Sequence, residues 1–364
     1  MTVNGVTTIL ERLAPLGYAE DFDNVGLLVG DAQMKVEGIL VTLDTLENVV
    51  DEAVEKNCNL IISFHPIIFS GLKKITGSNY VERTVLKAIK NDIAIYAIHT
   101  ALDNSINGVN DKICNILGLT HTRILIPQKE SIKKLVTYVP LENSKDVKTA
   151  LFEAGAGNIG NYSDCSFSME GTGSYKADEN ANPVKGTIGT IHLEKETQIN
   201  VTYSKAIEKQ VLSALFEHHP YEEVAYEITT LENANQQIGM GMIGDLETSM
   251  SEADFLSYLK DKMKATVVRH SQLRNKDIKK VAVLGGSGAF AIGAAKAAGA
   301  DVFVTADIKY HEFYQAEKQL VIADIGHYET EQFTKNLLVD YLTKKIPNFA
   351  IHLSESITNP IKYF

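Results

Sequence analysis

Three segments of the chain carry the residue types with the most chemistry. Ile61-Ile62-Ser63-Phe64 runs into His65-Pro66, residues 93–98 run into His99 and reach Asp103 four residues later, and residues 320–325 run through Gly326 into His327 and Glu331. Imidazole nitrogens and carboxylate oxygens are the donor atoms that hold a hard or borderline divalent cation. In an α/β sheet of parallel strands, the carboxyl ends of the strands lie on one rim, where ligands collect. Three such ends brought together would assemble His65, Asp103, His327 and Glu331 into a metal site.

Each residue also has a plainer reading on its own. A histidine before proline sits on extended backbone, and an ordinary hydrogen-bonded histidine would look the same. Asp103 ahead of Asn104-Ser105 reads as a helix N-cap. His327 and Glu331, four apart, share a helix face that could simply be polar. Their joint placement at three strand ends favours the metal reading. A carboxylate such as Glu331 also suits a bridge between two ions about 3.5–4 Å apart, the arrangement of two-metal hydrolases. His99 stands in reserve as a ligand, and Asp307 and His311 follow another strand, where they would orient ligands. Gly285-Gly286-Ser287-Gly288 follows a strand and opens a helix. That could cradle a phosphate, but it lacks the full G-x-G-x-x-G and reads better as a tight turn.

The elements that position these residues alternate. Residues 6–16 read as helix, 38–43 as strand ending at Asp44, 48–56 as helix, 60–63 as strand, 81–90 as helix and 93–98 as strand. Strands separated by helices of this length form βαβ units on a parallel sheet. After residue 126 the pattern changes to strand 135–139, helix 144–153, strand 163–170 and a polar, mobile hairpin over 171–186. A strand at 189–193 or 199–202, a helix over 205–218 and a strand over 225–230 follow. That order, βαββαβ, is ferredoxin-like. At Gly239 the chain returns to α/β alternation, with strands at 281–284, 302–305, 320–325 and 349–353 and helices at 289–298 and 337–344. The reading is a discontinuous, duplicated α/β core, 1–126 with 239–364, interrupted by an inserted α+β domain over 127–238.

At 364 residues the chain has room for two or three cores. A net charge of -11 disfavours broad contact with a nucleic acid backbone. No apolar run approaches the ~20 residues needed to span a bilayer, and the first residues lack a cationic and an apolar signal region. Cys58, Cys114 and Cys165 are scattered and fall in no Cys-x-x-Cys pair, as expected of buried small hydrophobes in a reducing cytoplasm.

Four stretches together resemble one family: residues 23–30, His65-Pro66-Ile67-Ile68-Phe69, His99-Thr100-Ala101-Leu102-Asp103 and Gly326-His327-Tyr328-Glu329-Thr330-Glu331. They are similar, in order and along the whole chain, to the Nif-three-like dinuclear metal proteins, also labelled GTP cyclohydrolase 1 type 2 homologs. His219-Pro220-Tyr221-Glu222-Glu223 resembles a segment of CutA proteins, so the insert is expected to be PII/CutA-like. The resemblance implies a homohexameric toroid with two divalent ions per subunit, zinc first and iron or manganese next. It implies His65, Asp103, His327 and Glu331 as the ligands. Many members have His-His-Pro where this chain has Phe64-His65-Pro66. One ion would keep His65, Asp103 and Glu331, and its neighbour only His327 and the shared Glu331, with His99 as the first candidate to compensate.

Two functional classes follow. The first is a metal-dependent hydrolase acting on a nucleotide or phosphoester through metal-activated water. The second is a metal-binding, sensing or trafficking protein whose insert is a regulatory, PII-like module that binds a small ligand.

Overall fold

Short strands of largely apolar character need cover on both faces, and a facing sheet on one side with helices on the other provides it. The computed structural model describes residues 1–364, which divide into two compact units: Met1–Pro127 with Gln236–Phe364, and Gln128–Asn235.

The first unit holds a five-stranded and a six-stranded sheet. In the five-stranded sheet the order is Gly26–Val29, Ala94–Ala97, Leu60–Ser63, Ile39–Thr42 and Ile351–Leu353, parallel except for Gly26–Val29. In the six-stranded sheet the order is Arg269–His270, Val321–Asp324, Val302–Ala306, Ile278–Ser287, Asn235–Met250 and Leu119–Gln128. Its Ile278–Ser287, Val302–Ala306 and Val321–Asp324 strands run parallel. Alternation along the strands divides the apolar residues between two faces. Leu60, Ile62 and Tyr96 share one core with Val281, Val302 and Val304, whereas Leu40, Ile61 and Ile95 pack under Val49, Val50 and Ala88. On the far face of the six-stranded sheet, Ala282, Phe303 and Ile322 meet the small-residue stretch Ala291, Ile292 and Ala295. The helix Tyr80–Lys90 begins on Asn79, whose side chain accepts from Glu82 N. No helix is long and apolar enough to cross a membrane.

The second unit runs β-α-β-β-α-β, and its four strands form an antiparallel sheet in the order Ser166–Lys176, Ile191–Ser204, Ile132–Pro140, Tyr226–Leu231. The helices Ser144–Glu153 and Glu208–His218 supply Val147, Leu151, Val211 and Leu215 to its core.

Several expectations need correction. The polar stretch expected to be a mobile hairpin from Gly171 is in part strand, since Gly171 to Lys176 pair with Glu196 to Ile191. The two alternative strands behind it are one, Ile191–Ser204. Most side chains of Ser166–Lys176 are exposed, so the alternation that marks a half-buried strand is missing. The structure adds Leu119–Gln128, Gly26–Val29 and the helix Glu252–Lys262 to the expected elements. The first is largely polar and exposed along its first half, and the second is only four residues long.

Candidate metal centre

The parallel strands of each sheet deliver their following residues to its carboxyl-end rim, and the two rims meet at this site. Asp44 follows Ile39–Thr42, His65 follows Leu60–Ser63, His99 follows Ala94–Ala97, Asp307 follows Val302–Ala306 and His327 follows Val321–Asp324. The ladder continues past the strands: His65 N donates to Leu43 O at 2.9 Å and His99 N to Phe64 O at 2.9 Å. Ser63 Oγ donates to the carbonyl of His65 at 2.7 Å, fixing the turn into Pro66.

Three histidines meet here, and each has its Nδ1 held by a carboxylate. His65 Nδ1 lies 2.8 Å from Asp44 Oδ1, His99 Nδ1 2.9 Å from Asp23 Oδ1, and His327 Nδ1 2.7 Å from Asp307 Oδ2. A carboxylate on Nδ1 fixes the tautomer, so that Nε2 is left to bind. The Nε2 atoms of His65 and His327 both face Glu331 Oε2, at 3.1 and 3.2 Å. Neither approach has hydrogen-bond geometry, and Glu331 Oε2 is buried without a hydrogen-bond partner, as is Asp103 Oδ1. Donor atoms of His65, His327 and Glu331 all fall within 4.8 Å of one another. Buried carboxylate oxygens without donors are costly unless a cation meets them. The residues therefore fit a divalent ion.

The electrostatics agree. Burial alone would push the His65 imidazole down, but the carboxylates of Asp44 and Glu331 outweigh it and push it up to about 10. His327, between Asp307 and Glu331, is pushed up to about 11 against the same burial. Burial would raise Glu331, yet the two imidazoles hold it down at about 2. Asp103 is raised well above the usual carboxylate range, first by burial and then by the charge of Glu331. Without metal, the charge of the two imidazoles balances Glu331 across approaches too bent for hydrogen bonds, and an ion would replace that charge.

The sequence-predicted residues distribute unevenly. His65 and His327, expected at different ions, meet at one oxygen of Glu331. Asp103 ends the short helix His99–Asp103, so it is not an N-cap. His99 shares a cavity of about 250 Å³ with Asp103, His327 and Glu331, and its ring centroid is 5.1 Å from that of His65. His311 does not contact the cluster's side chains. It lies exposed in the 3-10 turn Tyr310–Ala316, its ring against those of Tyr310 and Tyr314. Phe64 is fully buried, with its ring centroid 4.8 Å from that of His65 and 5.5 Å from that of His99, so it packs both rings rather than facing an ion. Gly285 and Gly286 do not cradle phosphate, because their N–H groups already donate to Asn110 Oδ1 and Thr330 Oγ1. At φ +69°, Gly286 leaves room for the carboxylate, and a Cβ there would fall 2.5 Å from Glu331 Oε1.

Asp44 and Asp23 carry no sequence signal that pairs them with the histidines they hold. Asp23 precedes the antiparallel strand Gly26–Val29, whose start pairs with Ala97 and so lies at the same rim. Its carboxylate also accepts from the Thr100 N and Oγ1, and with His99 these hold it at about 2 against burial. The exposed rings of Phe22 and Phe290 line the same cavity.

Comparison with known proteins bears on this site. The Duf34/NIF3 (NGG1p interacting factor 3) family profile matches residues 1–360. A Bacillus subtilis protein named "GTP cyclohydrolase 1 type 2 homolog" is 39% identical over 374 residues, covering 100% of this chain and 99% of that protein. The solved structure of a Bacillus cereus protein related to NIF3 is 37% identical with a TM-score of 0.85, covering 100% of this chain and 99% of that one. A Staphylococcus aureus structure matches at 30% identity and a TM-score of 0.78, with the same coverage.

Proposed function

The chain belongs to the Duf34/NIF3 family, and on that premise we propose that it is a divalent-metal protein whose ion serves hydrolysis of a nucleotide or phosphoester. One observation carries the reading: two imidazoles, each fixed by a carboxylate on Nδ1, converge on a buried carboxylate oxygen that has no donor of its own. His65, His327 and Glu331 would hold the first ion. His99 and Asp103, in the same cavity, are the donors for a second. Zinc suits this nitrogen and oxygen set best, with iron or manganese next. No cysteine belongs to the cluster; Cys58 and Cys114 are buried, and burial pushes their thiols up to about 11 and about 12.

A bound ion would supply Lewis acidity and acidify a neighbouring water. The chain's own residues do the rest. Asp44, Asp23 and Asp307 keep the imidazoles in the binding tautomer, and Phe64 packs the rings of His65 and His99. Phe22 and Phe290 offer apolar surface beside the donors, where a flat ring could rest.

A second reading, a metal sensor or carrier with a regulatory PII/CutA-like insert, is favoured by the separate cavity of about 660 Å³ in the Gln128–Asn235 unit. A homohexamer in the cytoplasm is proposed for either reading, on the family likeness. The deciding experiment screens metal-reconstituted protein against nucleotides and phosphoesters. Saturable turnover that is lost in His65→Ala supports hydrolysis. A full complement of metal with no turnover on the panel removes hydrolysis and leaves the second reading.

A further inference from the structure

The Gln128–Asn235 unit contains a largely buried carboxylate that forms no ion pair. Glu196 lies on the Ile191–Ser204 strand and is 8% exposed. Its Oε1 accepts from the Tyr221 hydroxyl at 2.9 Å. Its other oxygen takes no hydrogen bond and rests over Gly173 of the neighbouring strand, where a Cβ would fall 2.2 Å from it. Lys185, His192 and Lys195 of this hairpin are engaged elsewhere: Lys185 pairs with Glu142 and Glu194, His192 with Glu194, and Lys195 donates to Thr172. His219 is also no counter-ion, since burial lowers its pKa and both its ring nitrogens bond backbone groups. The carboxylate is thus held at one oxygen by Tyr221, and its other oxygen is left for a cation.

Glu196 lines a cavity of about 660 Å³, a volume that suits a metabolite-sized ligand. Three tyrosines, Tyr138, Tyr175 and Tyr221, form part of its wall. Their hydroxyls are engaged by Glu227, the Lys185 carbonyl and Glu196, so their rings remain as surface. Met169, Pro183 and Val184 add apolar area. Charged groups at the wall are Glu170, Glu196, Glu222 and Glu223 against the single Lys176. Glu222 Oε1 accepts from Asn182 N at 2.7 Å, which ties it to the 177–184 segment that closes one side.

We propose that this cavity binds an organic ammonium, its charged head on Glu196 and its carbon skeleton against the tyrosine rings. Acidic and aromatic groups together recognise such a cation through ion pairing and the ring faces. A bare divalent ion is a poorer occupant, because it needs about six oxygens at one point, and here much of the wall is apolar. The inference stands apart from the metal reading, since none of these residues belongs to the first unit.

The test uses the full chain and calorimetric titration with butylammonium, phenethylammonium and putrescine, beside the matched uncharged alcohols. At least one ammonium should saturate at one per chain and bind more tightly than its alcohol. Glu196→Gln keeps the size and should weaken it about tenfold or more, the worth of a charged hydrogen bond. Gly173→Ala should weaken it too, by displacing the carboxylate. On wild-type protein, the bound ammonium should slow amide hydrogen exchange within residues 169–176 and 221–223. The proposal is overturned by no saturation with any ammonium, by equal binding to Glu196→Gln, by protection confined to the first unit, or by magnesium or calcium alone displacing the probe.

Discussion

The chain contains the dipeptide His-Pro twice, at His65-Pro66 and at His219-Pro220, and the two histidines do opposite work. His65 has Asp44 on Nδ1 and Glu331 near Nε2, and these carboxylates push it up to about 10. His219 is buried with both nitrogens on backbone groups: Nε2 donates to Tyr138 O at 3.0 Å and Nδ1 accepts from Tyr221 N at 3.1 Å. Burial then lowers its pKa, and the ring is neutral. A histidine that bonds two backbone groups is a staple. One that is held by a carboxylate at one nitrogen and faces a donor-poor carboxylate with the other is a ligand.

The largest effect should come from removing the shared oxygen. Glu331→Ala should weaken metal binding by about a thousandfold or more, roughly 4 kcal/mol, read as metal content after dialysis. His219→Ala should leave metal content at the wild-type level and instead destabilise the second unit by about 2 kcal/mol, because two buried backbone groups lose their partner. Loss of metal in His219→Ala would erase the distinction.

A smaller effect separates the ligand from its orienting partner. Asp44→Asn keeps the shape but removes the charge behind His65, and metal affinity should fall about 10- to 100-fold. An unchanged affinity would mean that His65 needs no carboxylate to be a ligand. Thr358 also donates to Asp44, so the Asn variant should retain the C-terminal segment, which circular dichroism can check.

The smallest effects are those of pH, and they carry opposite signs. His65 and His327 are raised in the metal-free fold, so near pH 7 an incoming ion should displace about two protons. Calorimetry in buffers of different ionisation enthalpy counts them. The metal-free stabilisation from these histidines is fully present below the unfolded value of 6.5 and is lost as pH rises through about 10 and 11. For His219 the folded value lies below the unfolded one, so its contribution is present above pH 6.5 and fades as pH falls. Protection of the helix Glu208–His218 against hydrogen exchange, taken relative to the intrinsic rate at each pH, should fall between pH 7 and 5, and His219→Gln should flatten that trend.

The sequence carried the strand ends and not their neighbours. His65, His99 and His327 stand out because each follows an apolar run, and parallel strands send those runs to one rim. Asp44 follows another such run, but nothing in its spacing of 21 residues shows that it backs His65. Asp23 was harder, because it precedes a strand and reaches the rim only through antiparallel pairing with Ala97. The strand-end rule also overreached at His311, which the 3-10 turn after Lys309 leaves exposed against two tyrosines. Phe64 read as a lost ligand, whereas in the fold it is core that packs two imidazoles. In the second unit, the exposed half of Ser166–Lys176 from Gly171 onward lacks the alternation by which strands are read, so the sequence shows a strand only up to residue 170 there.

The central claim is that His65, His327 and Glu331 hold a divalent ion together. Crystals of the full chain grown with zinc, measured at the zinc absorption edge, test it directly. An anomalous peak should lie about 2.0–2.2 Å from His65 Nε2, His327 Nε2 and Glu331 Oε2. A peak only elsewhere in the molecule, or none at these three atoms at saturating zinc, would contradict it.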